Sequence, residues 1–237
     1  MTSLILCVII KKGENMKNKL FTALFGVAIF FFIITFSIGL PIYCRFFYYM
    51  QIEALNLPAS TGYDHATIKV AFDEVMNFLT LPGFEFGTGV FKYSQAGKAH
   101  FYDCKVLFDL NAYVLIASTI IIASLLILSK LKFISFCRPF NMHVAFLSCI
   151  SIFTVIAIIA ILIFIAGFDS AFTVFHHIFF PGKDNWQFDY YQDEIIRILP
   201  QQFFLSCAVL IGASIVIISL TVIVFQVLKR HKIKKQQ

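Results

Sequence analysis

Three histidines are placed where they could do chemistry: His100, in His100-Phe101-Tyr102-Asp103-Cys104-Lys105, and the adjacent pair His176 and His177, inside Phe172–Phe180. An imidazole with a free pKa of about 6.5 can take or give a proton at neutral pH. Each also has a plain reading, as an interfacial aromatic satisfied by water or lipid headgroups. A metal site is a poor fit, since neighbours such as His176 and His177 point about 100° apart on a helix. His100 and Asp103 could join one of them, but so few unspaced ligands make no signature, so no metal and no cofactor are expected. Trp186 and Phe188 read in the same plain way as an interfacial aromatic belt.

The elements that must position these residues follow from composition. The chain has 237 residues, 59% hydrophobic and 14% charged, with 30 Phe. A soluble domain runs at about 45–50% apolar and about 25% charged, so a single soluble domain is excluded. Disorder is excluded by the same apolar excess. Crossing about 30 Å of hydrocarbon takes about 20 apolar residues. Four charge-free runs meet that length: 20–44, 110–129, 144–168 and 203–228. All are expected to be helices, because a backbone in lipid must satisfy its own hydrogen bonds and none of the runs alternates as a barrel strand does.

The remaining segments are 1–19, 45–109, 130–143, 169–202 and 229–237. The first, third and last hold 12 of the 19 basic residues and only Glu14 among the 13 acidic ones. Short basic flanks lie in the cytoplasm. Both termini and 130–143 are therefore expected inside, with 45–109 and 169–202 outside the cell membrane. The terminal Lys229-Arg230-His231-Lys232 run is then a topology anchor touching anionic lipid, not a nucleic-acid patch. The run after Met16 is too long for a secretory core and has no small-x-small cleavage site, so it reads as an uncleaved span. Residues 1–15 read as an extension upstream of a natural start at Met16. Cys44 and Cys104 are the two cysteines that could meet outside, although nothing in their spacing requires a bridge.

No Asp, Glu, Lys, Arg or His lies within the four runs, which argues against a pump or secondary transporter. Chemistry is expected in the two outer segments. In the first, Ile68, Phe72, Val75 and Leu79 share one face, predicting a helix over 65–80 stopped by Leu81-Pro82-Gly83. Aromatic runs split by Gly turns then predict small strands and a hairpin over 84–104. In the second, Phe172–Phe180 reads as an extension of the third span. A turn follows at Pro181-Gly182, then a short helix Tyr190–Leu199 headed by an Asp189/Gln192 capping box, with Arg197 in reach of Asp193 and Glu194. The expected fold is four transmembrane helices with a small extracytoplasmic α+β domain.

Phe86-Gly87-Thr88-Gly89, Ser94-Gln95-Ala96-Gly97, His100–Lys105 and Leu107-Phe108 resemble one outer motif of a family of bacterial four-span membrane proteins. Phe175-His176-His177-Ile178-Phe179-Phe180, with Trp186, Phe188, Asp193, Ile195, Ile196, Pro200, Phe203 and Phe204, resembles the second. Order, spacing and placement between spans agree from about residue 16 to 228. The family is that of the lipoprotein intramolecular transacylases, which make lyso-form lipoproteins in Gram-positive bacteria. The resemblance implies transfer of the sn-2 acyl chain of a diacylglyceryl-modified lipoprotein cysteine to that cysteine's own α-amine. It places the two motif histidines at His100 and His176, and gives His177 no role.

That reaction needs no nucleophile from the enzyme, because the substrate supplies an amine with a pKa of about 7.7–8.0. It needs a base and a partner for the oxyanion. For that chemistry His176 is assigned as the base and His100 as the oxyanion or leaving-group partner, a split that could be reversed, with Asp103 or Lys105 tuning His100 and Trp186 framing the headgroup. The implied partners are the diacylated lipoprotein and membrane lipid. Two other classes compete: a non-catalytic membrane protein that binds lipoproteins or envelope enzymes, and a metal-dependent membrane hydrolase.

Overall fold

The computed structural model describes residues 2–136, 152–153 and 167–234. They form helices α1 (Thr2–Tyr43), α2 (Arg45–Ala54), α3 (Leu57–Thr61), α4 (His65–Thr80), α5 (Gln95–Lys130), α6 (Phe168–Phe179), a 3-10 helix (Glu194–Ile198) and α7 (Gln201–Lys234). Three stretches are long and apolar enough to cross a membrane: Met16–Tyr43, Gln95–Lys130 and Gln201–Phe225. The span expected over 144–168 lies outside the described residues, apart from Ile152, Phe153, Gly167 and Phe168.

The chain divides into two compact units. One draws its described residues from Met1–Phe36, Val114–Ala157 and Ser214–Gln237. It contains an apolar cleft between α1 and α5, lined by Leu24, Val27, Phe31, Val114, Ala117 and Ile121. The other draws on Ser37–Tyr113 and Ile158–Ala213, and all three histidines of interest belong to it.

The second unit is built on α4. Asp64 caps it by accepting the Thr67 N–H at 2.7 Å, and its face of Ile68, Phe72, Val75 and Leu79 is buried as the spacing predicts. Around that face pack Tyr48, Ile52, Phe86, Phe91, Ile195, Ile198 and Phe203. Tyr48 stacks on Phe72 with ring centroids 3.6 Å apart, and its hydroxyl donates to the Ile198 carbonyl at 2.7 Å. Burial of a side chain of this class stabilises by about 1.5–3 kcal/mol, so the ring cluster is the main anchor between α2, α4 and α7.

The expected α+β domain is corrected: no strand occurs among the described residues, and this unit is helical. The N–H groups that a partner strand would take go to carboxylates instead. Glu74 accepts from Gly89 at 2.7 Å, Glu194 from Lys92 at 3.2 Å, and Asp193 from Ser94 at 2.7 Å. Gly87 allows the close wrap, since a Cβ there would sit 2.7 Å from Glu74 Oε2. Residues 98–104 are not a hairpin arm but the opening turns of α5, which starts well before the run 110–129 because Ser94 caps it through the Gly97 N–H at 2.9 Å.

The segment 169–202 departs from expectation near its end. Gly167, at φ +81°, is the N-cap of α6, and the expected continuity of Phe172–Phe180 with the third span falls on residues outside those described. The helix expected over Tyr190–Leu199 is a turn followed by the 3-10 helix. Asp189 closes that turn, accepting from the Tyr191 and Gln192 N–H groups at 2.9 Å each, while the 3-10 helix has Asp193 at its N-cap with no side-chain cap bond. Arg197 stands 5.3 Å from the Tyr190 ring centroid, while Asp193 and Glu194 are engaged with the first segment's backbone.

Candidate active site

His100 projects from the second turn of α5 and His176 from the last turn of α6, each 5% exposed. Their ring centroids are 5.7 Å apart. In α5 the charge-free stretch is 110–129, and His100 precedes it together with Lys98, Asp103, Lys105 and Asp109. Aromatic rings surround the pair. Phe180 and Phe188 lie 4.9 and 5.5 Å from His100, and Phe172 lies 4.3 Å from His176.

The hydrogen bonds define the two rings differently. His176 Nδ1 lies 2.7 Å from the Phe172 carbonyl oxygen, one turn earlier. A carbonyl oxygen only accepts, so Nδ1 carries the proton and Nε2 keeps a free lone pair. His100 Nε2 lies 3.3 Å from Cys104 Sγ. Its Nδ1 is buried with no hydrogen-bond partner among the described residues.

Both rings are neutral at pH 7. Burial pushes His100 down to about 4, assisted by the neighbouring His176 and opposed by Asp103. Burial also lowers His176, against the bond to Phe172 that favours its charged form. In the unfolded chain both titrate near 6.5, so protons that the unfolded chain accepts are refused by the folded one. Their contribution to stability is complete above about pH 6.5 and is lost as pH falls, for His100 towards about 4. The melting temperature should therefore fall through that window, and His100→Gln should flatten the fall. An identical slope in His100→Gln would contradict the assignment.

Of the residues expected to support the pair, Trp186 comes closest, stacking on His176 at 4.5 Å and 26°. His177 is exposed and meets the same indole edge-on at 5.7 Å. Asp103 does not bond to His100. Its two oxygens accept from Lys183 and from Asn185, the latter at 2.9 Å. Partial burial works against its ionisation, but these donors outweigh it and hold the carboxyl below its ordinary value. Lys105 turns away from the pair, donating to the Phe78 carbonyl at 2.9 Å and lying 3.7 Å from Asp109.

Asp103 thus holds the loop by hydrogen bonds and acts on the His100 ring through its charge alone. Trp186 Nε1 donates to the Lys183 carbonyl at 2.9 Å, so the residues held by Asp103 also hold the indole over His176. Trp186 is the one tryptophan of the chain, and its fluorescence reads this latch directly. Asp103→Ala is expected to shift its emission to the red, raise its quenching by acrylamide, and slow turnover about tenfold by loosening the site. Unchanged emission and rate would show that the latch is dispensable.

Sequence reasoning missed Cys104, Lys183, Asn185 and the Phe172 carbonyl. Only Cys104 carried a signal, its four-residue spacing from His100 on a helix. Cys44, Cys104 and Cys207 are free thiols, so the possible Cys44–Cys104 bridge is not formed. Among the described residues no three His, Cys, Asp or Glu side chains gather as a metal site.

A family model described as lipoprotein intramolecular transacylase Lit matches residues 23–204. Among solved structures, the chain is similar to the membrane integral lipoprotein intramolecular transacylase Lit of Bacillus cereus. That likeness has a TM-score of 0.74 and 24% identity, over 92% of this chain and 100% of the other. Two variants of the Bacillus cereus protein, with one histidine replaced by arginine or by alanine, each match at 26% identity and a TM-score of 0.72. They cover 93% of this chain and 96% and 98% of their own. Comparison with curated proteins finds no match.

Proposed function

The chain belongs to the lipoprotein intramolecular transacylase family, a membrane acyltransferase by that membership, and we propose that His176 and His100 carry out its acyl shift. The substrate is a lipoprotein whose N-terminal cysteine bears a diacylglyceryl group. Its α-amine attacks the carbonyl carbon of the sn-2 ester, and His176 Nε2 takes the amine proton. His100 stabilises the oxyanion that forms. Collapse breaks the bond to the glycerol sn-2 oxygen, which receives the proton from His176. An amide forms, an ester breaks, and the product is N-acylated with an S-monoacylglyceryl group. No further reactant is consumed.

The observation that carries this reading is the pair itself: two buried neutral imidazoles 5.7 Å apart, one with its Nε2 lone pair freed by a backbone bond. A base that is neutral at the working pH is what amine attack requires. The aromatic wall of Phe172, Phe180, Phe188 and Trp186 supports transfer over hydrolysis by keeping water from the ester. Substrate and acyl acceptor are one molecule, so the remaining task is orientation, which these rings and the Asp103 latch serve.

The basic residues support a topology with both termini and 130–143 in the cytoplasm and the site at the outer membrane surface. Co-expression with a diacylated lipoprotein tests the activity. The mass spectrum of the N-terminal lipopeptide should show one acyl group moved to nitrogen, with total mass unchanged. Retention of both acyl groups on the glycerol, from well-expressed protein, would sink the proposal.

A further inference from the structure

We propose that Cys104 fixes the tautomer of His100, so that His100 meets the reacting ester through Nδ1. This rests on the reading of His100 as the oxyanion partner. Cys104 follows His100 by four residues on α5, and its Sγ lies 3.3 Å from Nε2. The contact has two possible directions, because a neutral imidazole has one N–H and a thiol has one S–H. A thiol is more acidic than an imidazole N–H, and an imidazole nitrogen accepts far better than neutral sulfur. The thiol therefore donates and Nε2 accepts. Burial keeps that proton on sulfur, pushing the Cys104 thiol up to about 12.

With Nε2 accepting, the single ring proton sits on Nδ1. That atom is the one left without a partner among the described residues, inside a residue only 5% exposed. Buried N–H groups are seldom left unsatisfied, so a donor in this state is waiting for a ligand. His176 is the complement, with its N–H given to the Phe172 carbonyl and its lone pair free. The two rings then offer one donor and one acceptor, as an acyl shift through a tetrahedral oxyanion requires. Cys104 touches no substrate in this scheme. It is a positioning residue, and it deepens the assignment of roles within the same site.

The test is 15N NMR of histidine-labelled protein in detergent micelles, with the His100 signals assigned by their loss in His100→Gln. Wild type should show His100 protonated at Nδ1 and bare at Nε2. Cys104→Ala should lose that preference and lower kcat about tenfold with KM little changed. Cys104→Ser, which keeps a donor, should restore both the tautomer and most of the rate. Wild-type His100 protonated at Nε2, or Cys104→Ala with unaltered tautomer and rate, overturns the proposal. Full activity in His100→Ala would instead remove the role of His100 itself, and the two failures are told apart by that variant.

Discussion

Replacing His176 with alanine is expected to slow the acyl shift by about two to four orders of magnitude, the range that a positioned general base supplies. His176 Nδ1 is committed to the Phe172 carbonyl and the ring is clamped under Trp186, so no neighbouring group can take over its Nε2 lone pair. His177 is exposed and meets the edge of the Trp186 indole instead. His176→Gln is the sharper variant, since it fills space against Trp186 yet has no titratable nitrogen. It should be as inactive as the alanine variant while melting near wild type. His100→Ala should cost about two to three orders of magnitude, as loss of one oxyanion donor does. The double variant should be little worse than His176→Ala alone, because groups acting as a unit are not additive. Initial rates on a synthetic diacylated lipopeptide check all four.

Gly97→Ala should damage fold and activity together. A Cβ at this position would lie 2.4 Å from Asp193 Oδ1 and 2.9 Å from the Phe188 ring, so something must move. Asp193 has little room to yield. It is 3% exposed and accepts from the Ser94 N–H at 2.7 Å and the Asp189 N–H at 3.3 Å. Displacing it strands a buried carboxylate and frees the N–H of Ser94, the residue that caps the helix carrying His100. Breaking one side of a buried charged contact costs about 3–5 kcal/mol, and overpacking alone about 1–3 kcal/mol. A loss of roughly 3 kcal/mol is expected, visible as a lower melting temperature in detergent, together with a large fall in turnover. Asp193→Asn keeps an acceptor for Ser94 and should be much milder. A Gly97→Ala protein with wild-type melting would show that Asp193 is not the tie between the two outer segments.

These two variants mark what the sequence could and could not disclose. Local periodicity disclosed α4, because Ile68, Phe72, Val75 and Leu79 are one face and Asp64 is its cap. Apolar length disclosed three spans among the described residues. The unit built on α4 was misread as α+β because Phe86–Tyr93 is aromatic and glycine-punctuated, the composition of a small hairpin. Its N–H groups are satisfied by Glu74, Asp193 and Glu194, and such distant pairings leave no mark on local pattern. The same blindness affected Asp103. Its charge acts on His100, as their nearness in sequence suggested, but its hydrogen-bond partners Lys183 and Asn185 are about 80 residues away in the chain. His100 and His176 were legible through their motifs, but their tautomers were not, because these depend on a backbone carbonyl and a thiol brought into place by the fold.

In the proposed reaction, one site moves one acyl chain within one molecule by means of two neutral histidines. The most direct measurement is tandem mass spectrometry of a lipopeptide carrying an isotopic label in its sn-2 acyl chain only, after incubation with purified wild-type and His176→Gln protein. The account predicts that wild type places the label on the cysteine nitrogen with no change in total mass, and that His176→Gln leaves it on the glycerol. Label on nitrogen in both proteins, or labelled free fatty acid from wild type, would contradict it.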